Sequence, residues 1–237
     1  MIHASTDMTS AIPSGVVVAL KAEADTCRRI PDALIQTAGP GPERAEAAAR
    51  ALLAQGARSL VAWGTAGALT DSLLPGDIVV ADTAFEGRGH ASPVTENPFA
   101  QALAARLAPL GVRRGSTCTV SEPVSASGEK LRLHATTQAL CVDMESAAVA
   151  RVAAAAGVPF AAVRSIVDPL GFDLPPAALA GMDQHGNTAM LPVVRELLRS
   201  PTQLKALLTL GAYFRLALRE LRSAAELLAQ SPPWHLS

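Results

Sequence analysis

Two short segments hold the residues best placed to do chemistry. One is Val142-Asp143-Met144-Glu145-Ser146; the other, beyond an alanine-rich stretch, is Val163-Arg164-Ser165-Ile166-Val167-Asp168. The run 158–167 is apolar and partly β-branched apart from Pro159 and Arg164, and reads as a buried strand. Asp168 falls where that strand ends, and Pro169 holds it out of helical geometry. Glu145 lies where a short strand, 139–142, meets a helix running to residue 156. Two carboxylates thus stand at the carboxyl ends of strands, where open α/β folds place their ligands. A desolvated carboxyl group at such a site has a raised pKa, which suits general acid work. The competing readings are structural: Asp168 caps a loop, and Glu145 is stabilised by up to about 1 kcal/mol at a helix N-terminus.

These residues need an α/β scaffold. Strands are expected over 15–20, within 30–37, and over 59–63, 77–84 and 115–120. Helices are expected over 43–55, 98–110 with Gly111 as cap, 128–137, 191–199 and 201–229, with Pro175-Pro176 and 181–186 read as loop. Strands alternating with helices imply a mostly parallel, helix-covered sheet. At 237 residues the chain suits one α/β domain. Residues 1–14 read as a mobile leader, 15–190 as the catalytic domain, and 191–237 as a leucine- and arginine-rich helical extension of it.

Bulk properties exclude several classes. A formal net charge of −1 gives no field to attract nucleic acid. Cys27, Cys118 and Cys141 are odd in number and scattered, which argues against a disulfide framework or structural metal and suits a reducing cytoplasm. The five histidines show no metal spacing. No basic-then-apolar leader opens the chain, and charges interrupt its apolar stretches, so neither a signal peptide nor a membrane span is expected.

Two upstream segments, Gly64-Thr65-Ala66-Gly67-Ala68-Leu69 and Pro75-Gly76-Asp77-Ile78-Val79-Val80-Ala81-Asp82, complete a set of four motifs. In order and content the set resembles the nucleoside phosphorylase/nucleosidase superfamily, which includes the methylthioadenosine/S-adenosylhomocysteine nucleosidases. The resemblance implies a twisted, partly barrel-like mixed sheet, and cleavage of a purine N-glycosidic bond. Asp168 would protonate the leaving purine, Glu145 would grip the ribose hydroxyls, and Met144 would pack on the sugar. Asp143, standing where the family has Glu, would join Met144 among the substrate contacts, and Val167 stands where the family has Ser. Glu23 would activate the attacking water, although it also reads as the solvated start of a helix. Gly64, Thr65 and Ala66 would form a turn offering N–H groups and a hydroxyl to an anion or a polarised water. Hexameric phosphorylases hold phosphate with an Arg just before this turn; here that position is Ala62 or Trp63. Arg44 is the one substitute, or else a solvated arginine. Val124 occupies the base-contacting segment, with Phe172 a further candidate, and with aromatics at only 3% stacking partners are few.

The tail discriminates within the family. Leu204, Leu207, Leu208, Phe214, Leu218 and Leu221 recur at helical spacing among Arg195, Arg199, Lys205, Arg215, Arg219 and Arg222. Such a stripe either packs on its own domain or rests on a membrane and admits a lipid. Together with Asp168-Pro169 and Leu174-Pro175-Pro176-Ala177-Ala178, it resembles the hopanoid-associated phosphorylases. That resemblance implies release of adenine from adenosylhopane to give ribosylhopane. A cytoplasmic homo-oligomer, a dimer first, is expected, either soluble or peripheral on the inner face of the membrane. No cofactor is expected, with phosphate the alternative to water as co-substrate. The other readings are a soluble methylthioadenosine/S-adenosylhomocysteine nucleosidase or other purine phosphorylase, and a catalytically silent nucleoside- or lipid-binding module on the same fold.

Overall fold

The computed structural model describes residues 13–87, 97–180, 195, 196 and 199–230. Its strands are β1 (Ser14–Val18), β2 (Ala33–Thr37), β3 (Ser59–Ala68), β4 (Ile78–Glu86), β5 (Arg113–Thr119), β6 (Cys141–Asp143) and β7 (Phe160–Asp168). The long β3 organises them. One edge of its first half pairs in parallel with β1, which carries β2 beyond it. Its other edge pairs in parallel with β7 from Leu60 to Gly67, and Gly67 and Ala68 pair antiparallel with β6. β7 is antiparallel to β4, β4 parallel to β5, and β5 parallel to β6. β3, β7, β4, β5 and β6 therefore close a circuit from which β1 and β2 project. This is the mixed, partly barrel-like sheet that the motifs implied.

The helices are α1 (Lys21–Cys27), α2 (Pro42–Ala54), α3 (Pro98–Leu107), α4 (Ser127–Thr137), α5 (Ser146–Ala156), α6 (Pro176–Ala180) and α7 (Leu204–Gln230). α3 tightens into a 3-10 turn and stops at Gly111, whose φ of 67° is the left-handed cap expected there. Alternation along the strands splits the core into two layers. Val16, Val18, Val61, Trp63 and Val163 meet α1, α3 and α7 on one face. Val17, Leu60, Ala62 and Ala162 meet the alanine-rich faces of α2 and α5 on the other. Both faces are covered, so these strands are apolar almost throughout.

Three expectations need correction. β3 does not end at Trp63: Gly64 to Gly67 continue it as strand, paired with β7, rather than forming a turn. The first strand stops at Val18 and α1 follows almost at once. Pro176 begins α6 instead of lying in a loop. Residues 1–12, 88–96, 181–194, 197, 198 and 231–237 lie outside the described residues, and with them most of the leader and of the expected helix over 191–199.

The long α7 answers half of the tail question. Leu221, Ala224, Ala225 and Leu228 are buried in the core layer with Val163 and Cys27, and Ala217 is buried as well. Over this half the helix packs on its own domain. Leu221→Ala should therefore lower stability by about 2–5 kcal/mol, read as a urea unfolding midpoint; an unchanged midpoint would mean that α7 is not part of the core.

Candidate active site

A guanidinium enclosed in protein needs anions around it, and Arg164 on β7 is 1% exposed. Its Nε lies 3.1 Å from Asp143 Oδ2, its terminal nitrogen 3.6 Å from Glu145 Oε2, and it donates to Ser146 Oγ at 2.8 Å. Asp143 also accepts the hydroxyls of Thr117 and Thr119 at 2.9 and 2.8 Å. The backbone N–H groups of Glu145 and Ser146 reach it at 3.0 and 2.9 Å, so it caps α5. Burial alone would raise the pKa of Asp143, but Arg164 and these donors outweigh it and hold the carboxyl below its ordinary range. The sequence reading counted Asp143 among the substrate contacts. Its side chain is 0% exposed and all its lone pairs are taken, so it positions other groups instead.

That arrangement frees Glu145. It occupies the N-cap position of α5, yet its carboxylate does not cap the helix. Instead Oε1 accepts from the Gly41 N–H at 3.1 Å, across 104 residues of chain. Gly41 has φ +112°, a conformation open to glycine. A carboxylate serving its own helix end does not explain this geometry. Burial pushes the Glu145 pKa up to about 7; Asp143 and Glu23 add repulsion, opposed by Arg164 and Gly41.

The other two carboxylates lie against glycines of β3. Glu23 is buried, not solvated. Its Oε2 accepts the N–H groups of Ala19 and Leu20 at 3.2 and 3.0 Å, and its Oε1 accepts the N–H and hydroxyl of Thr65 at 2.8 and 2.9 Å. A Cβ on Gly64 would stand 2.7 Å from Glu23 Oε1. The Thr65 N–H is therefore committed to Glu23 and is not open to an anion, as the turn reading had it. Likewise a Cβ on Gly67 would stand 2.8 Å from Asp168 Oδ2. β7 carries one extra residue, Val167, between the pairs Ala66–Ile166 and Gly67–Asp168, and bulges of this kind re-aim a side chain. Asp168 Oδ2 lies 2.6 Å from Nζ of Lys130, a fully buried residue of α4. Burial raises the Asp168 pKa and Lys130 opposes it, with a net rise.

The remaining candidates fall around this cluster. Met144 is half-buried and Ala66 buried. Val124 packs with Leu69, Phe85, Leu133 and Val142 in a small cluster beneath β5 and β6. Arg44 is exposed and donates to the Pro40 carbonyl, beside Gly41. Phe172 packs edge-on against Tyr213 of α7, with ring centroids 5.8 Å apart. Cys27, Cys118 and Cys141 are buried free thiols. Among the described residues no group of three or more His, Cys, Asp or Glu is placed to hold a metal.

The match to the Phosphorylase superfamily model runs over residues 31–199. The chain belongs to the phosphorylase superfamily. By family it is an enzyme that cleaves nucleoside N-glycosidic bonds. No curated protein sequence matches it. Among solved structures, futalosine hydrolase of Helicobacter pylori is similar at 16% identity and TM-score 0.68, covering 93% of this chain and 98% of that one. S-adenosylhomocysteine nucleosidase from Streptococcus pyogenes, in complex with 5-methylthiotubericidin, gives 16%, TM-score 0.70 and coverages of 95% and 99%. The 5′-methylthioadenosine/S-adenosylhomocysteine nucleosidase of Neisseria meningitidis, in complex with methylthio-immucillin-A, gives 15%, 0.69, 93% and 100%. At these identities the likeness is one of fold.

Two residues of the cluster had no assigned role in the sequence. Arg164 left a signal, since a lone cation in a buried strand demands a buried anion. Lys130 left almost none. α4 buries Lys130, Leu133 and Thr137 while Leu131 is 54% exposed, the opposite of what side-chain polarity suggests.

Glu145 makes folding pH-dependent. Its folded pKa of about 7 exceeds its ordinary 4.5. The stability it contributes is therefore full below about pH 4.5 and lost as pH rises through about 7, and at 1.4 kcal/mol per pKa unit the loss is about 3 kcal/mol. Glu145→Gln does not titrate, so its stability relative to wild type should improve by about that amount between pH 5 and 8. Urea unfolding at the two pH values checks this; a pH-independent difference would contradict it.

Proposed function

We propose that this chain hydrolyses the N-glycosidic bond of a 5′-modified adenosine and releases adenine. The observation that carries the reading is the gathering of Glu23 and Asp168 against the glycines of β3 with Glu145 near enough to feel the charge of Glu23, each nearly buried and each held by a different set of partners. The Asp168 carboxyl gives its proton to purine N7 as the C1′–N9 bond breaks and its electron pair passes to the base. The ribose becomes oxocarbenium-like. Ionised Glu145 accepts the ribose hydroxyls, an interaction that strengthens as the ring gains positive charge. The water oxygen adds to C1′ and its proton passes to Glu23, so the proton lost at Asp168 is matched by one gained there. Glu23 must first release a donor. The Thr65 hydroxyl is the rotatable one, the other three being backbone N–H groups.

Charge supports water over phosphate. Glu23 lies near enough to raise the pKa of Glu145, and Arg164 is already engaged with Asp143. A phosphate dianion entering there would face two carboxylates, whereas a water molecule would not.

We further propose that the 5′ substituent is a lipid tail, with adenosylhopane as substrate. The supporting feature is the first half of α7. Leu204 and Leu208 are 50% and 65% exposed, and helical spacing puts them on one stripe with the exposed Arg215, Arg219 and Arg222. Pro201, Leu204, Lys205, Leu208 and Ala212 line an open groove of about 590 Å³. The Phe172–Tyr213 contact joins this helix to the turn that follows Asp168. No helix among the described residues is long and apolar enough to cross a membrane, so the contact would be peripheral.

Asp168→Asn keeps shape but loses the proton, so adenine release should fall about 10²-fold or more with nucleoside binding little changed. Chromatographic assay of adenine from a panel of 5′-substituted adenosines tests this, and near-normal turnover by the variant would remove Asp168 from the acid role. At about 1 kcal/mol per cation near an anionic surface, replacing Arg215, Arg219 and Arg222 with Gln should weaken vesicle binding about 100-fold. Cleavage of adenosylhopane should slow with it, while adenine release from 5′-methylthioadenosine stays the same. Equal losses on both substrates would defeat the lipid reading and leave the chemistry standing.

A further inference from the structure

Lys130 has no part in the steps above, yet it is a fully buried cation in contact with the acid. Its ammonium carries three N–H bonds and meets three acceptors: Asp168 Oδ2 at 2.6 Å, the Pro169 carbonyl at 3.0 Å and the Phe172 carbonyl at 3.1 Å. No donor remains for a substrate. Packing alone does not account for it, because an apolar side chain would fill the same face of α4 without the cost of desolvating a charge. Two of its acceptors belong to the turn that leaves β7. Lys130 thus fastens both the carboxyl group of Asp168 and the backbone just beyond it, while Gly67, lacking a Cβ, leaves room for the same carboxyl oxygen.

We propose that Lys130 is the positioning residue of the general acid, an inference that rests on Asp168 filling that role. As the Asp168 proton moves to purine N7 and the C1′–N9 electron pair passes to the base, a carboxylate forms in a nearly buried site. Lys130 is already in place to stabilise it, with no reorganisation at the moment of reaction. After adenine departs, Asp168 takes a new proton from solvent. Lys130 therefore matters only for leaving groups that must be protonated. Other ionisable groups lie farther from the pair. Asp173 is exposed, bonded to the Ser127 N–H at 2.7 Å, and feels Lys130 weakly. Glu129 is its neighbour on α4, and His134, one turn on, has its Nδ1 2.8 Å from the Ala139 carbonyl. The side of Asp168 facing β3 meets Gly67.

The test compares two leaving groups and a pH profile. Lys130→Met and Lys130→Gln, the latter keeping a donor for the turn carbonyls, are assayed beside Asp168→Asn, with folding checked by circular dichroism. Adenine release from 5′-methylthioadenosine should fall about 10-fold or more in both Lys130 variants, while cleavage of a nitrophenyl riboside, whose leaving group needs no proton, should change less than about two-fold. Without its counter-ion Asp168 holds its proton to higher pH, so the alkaline limb of kcat/KM for adenine release should move up by about one pH unit. Equal losses on both substrates with an unmoved limb would reduce Lys130 to a structural role and overturn the inference. If Asp168→Asn itself fails to distinguish the substrates, the acid assignment falls. If Asp168→Asn distinguishes them and the Lys130 variants do not, the Lys130 inference falls alone.

Discussion

One buried guanidinium governs the layout of the site. Arg164 lies almost wholly buried in β7, and a charge so placed persists only if anions enclose it. Asp143 is the principal anion, and meeting Arg164 fixes both its position and its ionised state. From there it also satisfies the first N–H groups of α5, work that would otherwise fall to the N-cap residue. Glu145 is thereby released from its own helix and turned toward Gly41 and the ligand side of the sheet. The family's Glu is shortened to Asp143 here, and Thr117 and Thr119 supply the contacts that hold the shorter side chain.

The second constraint is space along β3. Carboxylates lie where Cβ atoms of Gly64 and Gly67 would be, so these two glycines let Glu23 and Asp168 reach the sheet. Similar burial then has different outcomes. Asp143, enclosed by donors and a cation, stays acidic; Glu145 and Asp168, with fewer partners, rise. Carboxyl groups driven apart in pKa by their partners are what division into acid, base and hydroxyl acceptor requires.

The address of the site was legible in the sequence because it rests on strong local patterns. An apolar run broken by one Arg and closed by Asp-Pro reads as a buried strand with its last residue at the ligand end, and β7 is that strand. The misreading of Gly64 to Gly67 has a physical cause. Glycine signals a turn when it supplies unusual backbone angles, but here the two glycines supply missing volume within a strand, Gly64 with a φ of +159° as well, and nothing local distinguishes these uses. Lys130 was illegible because its partners are one carboxylate and two carbonyls brought near by the fold. The leucine periodicity of α7 was plain, but which half meets the core depends on where β7 and α1 lie. The buried half is Ala217 to Leu228, and the exposed leucines are Leu204 and Leu208.

The central claim is that these buried carboxylates direct water onto the anomeric carbon while the base leaves as a protonated purine. Its most direct test is product identity. The purified protein is incubated with 5′-methylthioadenosine and with a lipid-tailed adenosine, each with and without phosphate, and the sugar product is identified by mass. The account predicts free adenine and a free reducing ribosyl product in every case, at rates that phosphate does not change. A ribosyl 1-phosphate formed only when phosphate is present, or no adenine from any 5′-substituted adenosine, would contradict it.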